Sequence, residues 1–311
     1  MPLPNFFIIG AQKCGTDALY YALKQHPEIY MSPEKEPSYF IMDGALPAFR
    51  LPSPGYTRRL IPDRDRYLKL FENVREEKAI GEASAIYLSS YHPERTARRI
   101  CRLVPHAKII ALLRQPADRA YSAYQFYHAR EIEPIGDFAQ ALAAESGRYD
   151  SECPDIRHRA NGYYYANLKP YYDTFPWENI RVYLHEEWSA NPEAVLRDIF
   201  RLLGIDENVP VTVERRNVTT RYRSKRLRRF VISPNRIERT IQRLVPTRIL
   251  QRIHLWNELG KQPFSADLRR ELTAGYQDDI QMLQQLIGKD LSHWTSGSES
   301  VSALQVVKDT P

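Results

Sequence analysis

The sequence predicts an α/β fold, a central parallel sheet flanked by helices in three layers. Three observations carry this reading. Apolar runs of a strand's length, "FFIIG" and "KIIALLR" among them, recur along the chain. Stretches of helical spacing follow each run. The junctions carry glycine or proline, where an extended chain must give way to a helix.

In chain order, residues 6–10 read as a buried first strand and 16–25 as the helix after it. Residues 78–82 ("KAIGE") make a short strand, and 94–103 a helix. Residues 108–114 make a strong buried strand, and Pro116 opens a helix to about residue 129, proline being well placed in a first turn. A further strand at 179–184 leads into a helix running through Leu203 and stopping at Gly204. Strands alternating with helices imply a parallel sheet whose ligands sit at the carboxyl ends of the strands.

At 311 residues the chain can bury a large core. One domain over residues 1–295 is expected. Residues 41–60, rich in Pro and Gly, form a lid or loop within it, and 221–262 form a basic insertion. The Ser-rich end, 296–311, reads as a disordered tail. The net charge of +6 is unevenly spread: residues 221–252 hold eleven Lys and Arg and one acid, Glu238. A local positive field of that kind suits an anionic ligand, substrate or surface. Cys14, Cys101 and Cys153 are odd in number and far apart, which argues against a disulfide framework or a zinc site and fits a reducing compartment. No basic region followed by a long apolar run opens the chain, and no run of about 20 apolar residues exists, so neither signal peptide nor membrane span is expected.

The first turn, "GAQKCGT", has the glycine spacing and hydroxyl of a nucleotide phosphate loop, but its lysine lies between the glycines. Such a strand–turn–helix aims backbone N–H groups and a helix N-terminus at one spot, which favours an anion. Lys13 adds a full charge and Thr16 a hydroxyl. On pattern alone, a tight turn with an exposed lysine is the competing reading. A triphosphate site would also want a magnesium-holding aspartate at the end of a second strand. The strongest second strand ends in Arg114, with Ser122 eight residues on, a pair suited to a second anion held without metal. Alone, that pair has a competing reading as an arginine in a surface ion pair and a serine on a solvated helix face.

"IIGAQKCGTDAL" together with "LLRQPADRAYSAYQFY" resembles the sulfotransferases that use 3′-phosphoadenosine 5′-phosphosulfate, the bacterial and heparan-sulfate-type branch above all. The likeness covers about residues 5 to 295 and implies a P-loop-like three-layer sandwich. By position, the first motif (Gln12, Lys13, Cys14, Gly15, Thr16 and Asp17) would cradle the 5′-phosphosulfate, and Arg114 with Ser122 would hold the 3′-phosphate. The product would be 3′,5′-adenosine diphosphate, with no metal required. Lys13 would offset charge on the bridging oxygen as its bond breaks.

"SPEKEPSYF" is similar to the family's segment in which a glutamate precedes an aromatic pair, which maps the general base to Glu36. On the residues alone, Glu34 or Glu36 reads as a solvated loop acid, or Glu36 as the partner of Lys35. "GEASAIYL" looks like the family's glutamate–lysine–serine motif, matching Glu82 and Ser84, with Ala83 where relatives often carry lysine. That places Lys35, Glu82 and Ser84 beside the acceptor, with Lys35 or a basic-segment arginine to compensate for Ala83. "NGYYYANL" resembles the segment that begins a helix beside the nucleotide, matching Tyr164. "NVTTRYRSKRLRRF" falls where the family closes a basic loop over the donor, so Arg221, Arg223, Ser224 and Lys225 are candidates. Asp17 departs from the family, and a carboxylate there is unfavourable unless it faces away and caps the helix.

The expected acceptor is a carbohydrate or small-molecule hydroxyl or amine, an anionic one suiting the basic segment, with peripheral membrane contact through residues 221–252 as an open addition. A bacterial, cytoplasmic enzyme is expected. Two other classes compete: a nucleoside triphosphate kinase-like enzyme, which lacks its lysine after Gly15 and its aspartate, and a basic-surface binder of nucleic acid or acidic lipid, which lacks regular aromatic interleaving.

Overall fold

The computed structural model describes residues 2–42, 60–148, 154–213 and 263–296, and the shorter pieces 44, 221–222, 245, 249–250, 252 and 258–260. Its centre is a five-stranded sheet of β1 (Phe6–Gly10), β2 (Ile29–Met31), β3 (Ala79–Ala83), β4 (Lys108–Leu113) and β5 (Ile180–Leu184), in the order β2-β3-β1-β4-β5. All four pairings are parallel. Every residue of β1 and β3 is buried, as are all of β4 but its first. Burial of successive residues means that both faces are covered, which is why these strands read as unbroken apolar runs instead of alternating ones.

The covering helices are α1 (Thr16–Leu23), α2 (Arg64–Lys69), α3 (Pro93–Leu103), α4 (Pro116–His128), α5 (Phe138–Arg148), α6 (Tyr164–Tyr172), α7 (His185–Ala190), α8 (Pro192–Leu203), α9 (Ala266–Ala274), α10 (Gln277–Ile287) and the short α11 (Ser292–Thr295). α6 packs against α3 and α10, and α4 against α9. Separately, β6 (Arg221–Tyr222) and β7 (Glu258–Gly260) form a small antiparallel pair. The result is the three-layer α/β sandwich that the strand–helix alternation predicts.

Two local differences have physical causes. The helix expected to run unbroken to Leu203 is two helices, α7 and α8. Pro192 has no N–H to continue the first, and the Asn191 side chain caps the second by accepting from Ala194 N at 3.1 Å. The edge strand β2 is only three residues long and carries too little pattern to stand out. Most of the expected 41–60 lid, nearly all of the 221–262 segment and the tail after Ser296 lie outside the described residues.

Strand order places the site. From β1 the chain moves out to β2 and returns through β3, then crosses to β4 and β5 on the other flank. The order therefore reverses between β1 and β4, and ligands of open α/β sheets bind in the crevice at such a point. Ala11 N donates to Leu112 O at 2.7 Å, carrying the β1–β4 ladder up to the loops themselves.

Candidate active site

The loop after β1 turns on two left-handed residues, Lys13 (φ 67) and Gly15 (φ 104), and enters α1 with no side-chain cap. Gly15 is required twice over: its φ is strained for any side chain, and a Cβ there would meet the Trp188 ring at 3.2 Å. The first intrahelical bond runs from Leu19 N to Gly15 O, so the N–H groups of the turn before it face the loop's mouth without helical acceptors.

Lys13 is half-buried, its Nζ 3.8 Å from the centroid of the Phe126 ring. Burial lowers its pKa from 10.5 to about 8. Arg130 and Arg114 push the same way, against Asp17 and Cys14. Lys13, Arg114 and Arg130 thus repel one another across one small region, an arrangement that an anion would relieve.

At the end of β4, Arg114 and Ser122 are also half-buried. Among the described residues neither side chain has a hydrogen-bond or ion-pair partner. The two loops are tied from behind. Tyr164 donates to Arg114 O at 2.9 Å, and its hydroxyl lies 3.8 Å from Cys14 Sγ. Gln12 is held in the same way, its side-chain amide donating to Asp155 and its oxygen accepting from Tyr127 at 3.2 Å.

These contacts change the part expected of three residues. Gln12, Cys14 and Tyr164 are 7%, 0% and 0% exposed. Their side chains brace the two loops from within, leaving loop backbone, Lys13, Arg114 and Ser122 on the open side, while Thr16, 6% exposed, is buried as they are. Burial pushes the Cys14 thiol up to about 11, which keeps it a neutral packing group.

The third part is the loop after β2. Lys35 Nζ lies 2.5 Å from Asp17 Oδ1 and 3.4 Å from Glu36 Oε1, bridging the two acids. Burial opposes the charge of Lys35, but Glu36 and Asp17 outweigh it and hold the ammonium above its usual range. Asp17 therefore neither caps α1 nor stands unpaired beside the loop.

Glu82 and Ser84 are both 0% exposed, which closes them off from an acceptor in solution. Glu82 accepts from Tyr67 at 2.6 Å, Tyr87 at 2.5 Å and Ser84 at 2.8 Å. Ser84 Oγ in turn accepts from Ser38 N at 3.1 Å, Phe40 N donates to the Tyr87 hydroxyl at 3.4 Å, and Tyr39 stacks on Tyr67 at 4.3 Å. The cage thus locks the segment that carries Glu36. Ala83 is 2% exposed within the same wall.

Burial raises the Glu82 pKa from 4.5 to about 7, although its three hydroxyl donors favour the anion. The folded-state value lies above the unfolded one. Its stabilising contribution is therefore complete below about pH 4.5, declines through the range up to 7 and is gone above it, a span of about 3 kcal/mol. Wild-type protein is expected to lose thermal stability between pH 5 and 7.5 more steeply than Glu82→Gln, as read by parallel melting curves; parallel pH profiles would refute this.

Of the basic-loop candidates, Arg223, Ser224 and Lys225 lie outside the described residues, and Arg221 is placed only as β6 backbone opposite Gly260. Sequence reasoning passed over Phe126 and Arg130. Their signal was present: Ser122, Phe126 and Arg130 follow at intervals of four, one face of a helix.

The model of the Sulfotransferase family matches residues 4–208. The chain is 32% identical to human bifunctional heparan sulfate N-deacetylase/N-sulfotransferase 2 over 210 residues, which is 65% of this chain and 22% of that protein. It thus spans about a fifth of that relative's length. Against the membrane-associated sulfotransferase kil1 of Dictyostelium discoideum it is 33% identical over 124 residues, 40% of this chain and 23% of that protein. The crystal structure of a sulfotransferase from Alicyclobacillus acidocaldarius superposes with a TM-score of 0.74 at 34% identity, covering 94% of this chain and 99% of that one.

Proposed function

The chain belongs to the sulfotransferase family, and from that premise we propose that it moves a sulfuryl group from 3′-phosphoadenosine 5′-phosphosulfate to a hydroxyl or amine, with Glu36 as general base. One observation carries the donor assignment. Two cationic sites, Lys13 with the α1 N-terminus and Arg114 with Ser122, stand side by side at the switch point, and the second has no partner among the described residues. A donor with a phosphosulfate at one end and a 3′-phosphate at the other fits two such sites. A magnesium-bound triphosphate would want a carboxylate where Arg114 stands.

Bound there, the donor supplies a sulfuryl group already activated by a phosphate leaving group. Lys13 and the N–H groups opening α1 would offset the charge that gathers on that phosphate as the bond breaks. Arg114 and Ser122 would fix the far end, turning binding energy into alignment. Glu36 would accept the acceptor's proton. Lys35, bonded to both Glu36 and Asp17, keeps the Glu36 carboxylate in place.

The curated relatives point to a carbohydrate acceptor, heparan sulfate being named for the human protein. Calorimetric titration with 3′,5′-adenosine diphosphate, against ATP with magnesium, tests the donor. Tight binding of the bisphosphate without metal is expected; preference for ATP with magnesium would sink the assignment. Transfer of labelled sulfuryl groups to amine-bearing polysaccharides and to small alcohols tests the acceptor.

The Lys13 pKa adds a pH dependence. An anionic ligand favours the charged lysine, so affinity should be level between about pH 7 and 8, where the ligand's phosphates are fully ionised, and fall above it, by up to about tenfold per pH unit. Above pH 8, binding should take up a proton, measurable as a dependence of the heat on buffer ionisation enthalpy. Lys13→Met should abolish the uptake; uptake that persists would assign the proton elsewhere.

A further inference from the structure

Ser122, Phe126 and Arg130 form one row along α4 and the turn after it. The middle member is not a ligand-type residue, yet it sits where the donor lysine ends. Lys13 Nζ lies 3.8 Å from the Phe126 ring centroid, and Arg130 Cζ lies 3.5 Å from the same centroid. Arg130 Nη1 also donates to Phe126 O at 3.3 Å, holding its guanidinium to that ring. Among the described residues no ion pair or hydrogen bond holds the Lys13 ammonium. The nearby carboxylate, Asp17, is taken by Lys35. The face of an aromatic ring carries negative potential and attracts a cation, more strongly where water is partly excluded.

We propose that Phe126 is a positioning residue: its ring seats the Lys13 ammonium, holding it charged at the mouth of the donor loop, with Arg130 on the same ring weakening that hold. The seat rests on the donor reading above. It explains how a half-buried lysine stays placed without an ion pair or hydrogen bond among the described residues, leaving its charge for an incoming phosphosulfate. Four charged or titratable groups act on Lys13: Asp17 from α1, Cys14 from its own loop, Arg114 from the end of β4 and Arg130 from beyond α4. The first two favour its charge and the arginines oppose it, while burial opposes it most.

Phe126→Leu keeps apolar bulk over Lys13 but removes the ring's negative face. Nuclear magnetic resonance of isotope-labelled lysine, with Lys13→Arg for assignment, reads the titration without any ligand. The Lys13 midpoint is expected to fall by roughly half a pH unit or more in Phe126→Leu and to recover in Phe126→Trp. Arg130→Gln should raise it. In matched calorimetry with 3′,5′-adenosine diphosphate, Phe126→Leu should bind like wild type at pH 6 and roughly threefold or more weaker at pH 8.5, a split that general loss of packing would not produce.

Unmoved midpoints in folded Phe126→Leu and Arg130→Gln would overturn the seat while leaving the donor reading intact. Should Phe126→Leu not fold, Phe126→Met, which likewise keeps apolar bulk without a ring, takes its place, and an unmoved Lys13 midpoint in it overturns the seat. A wild type that fails to bind the bisphosphate at every pH overturns the donor reading, and with it the seat's purpose, even where the Lys13 titration moves as expected.

Discussion

Arg114→Ala should weaken binding of 3′,5′-adenosine diphosphate by roughly 10- to 100-fold, the range of a lost charge-assisted contact of about 1.5–3 kcal/mol. Stability should hardly change. The Arg114 guanidinium has no partner among the described residues, whereas its backbone carbonyl, which Tyr164 bonds at 2.9 Å, is untouched by the substitution. Unchanged melting temperature with lost affinity is the signature of a ligand contact. Ser122→Ala should cost less, and the double variant less than the sum of the two, as the proposed sharing of one phosphate by both side chains requires. The loss should also shift the pH dependence. Arg114 is one of the charges lowering the Lys13 pKa, so its removal moves that midpoint upward. Equal affinity in wild type and Arg114→Ala would refute the second anion site.

Glu36→Gln should lower kcat by roughly 100- to 10,000-fold while leaving affinity for the bisphosphate near that of wild type. Glu36 is about one-third exposed at its side chain (34%), while its anchor Lys35 is 14% exposed and keeps Asp17 as a second partner when Glu36 loses its charge. The substitution therefore removes a proton acceptor with little disturbance to the loop. Glu82 is the rival carboxylate nearby, but it is enclosed and saturated by three hydroxyl donors. Turnover of Glu36→Gln within a few-fold of wild type would show that the base lies elsewhere.

The strands were legible because a sheet covered on both faces writes itself as short unbroken apolar runs; β1 stands where "FFIIG" placed it, and β4 where "KIIALLR" did, ending one residue earlier at Leu113. Helix starts were legible through proline, at Pro116 above all, and the end of α8 through Gly204, which takes the left-handed conformation. The division of α7 from α8 was legible too, in Asn191-Pro192, but a continuous helical pattern around it hid the break. At the site, the residue types of the two loops pointed to anions, since Gly15, Lys13, Arg114 and Ser122 carry that chemistry by their nature.

What each side chain faces is a different kind of information, because it depends on partners far away in the chain. Glu82 reads as an acceptor contact until Tyr67, Tyr87 and Ser84 close around it. Asp17 reads as a misplaced charge until Lys35, 18 residues on, lies 2.5 Å from it. Tyr164 reads as a nucleotide neighbour until it is found bonding Arg114 O across 50 residues. Composition and local spacing thus decided the fold class, the strand-to-helix turns and the cationic groups gathered at two of them, all of which follow from propensity and charge within a few residues. Tertiary packing decided which polar groups are spent inside and which stay open, since burial and hydrogen-bond partners exist only once the strands have brought distant segments together.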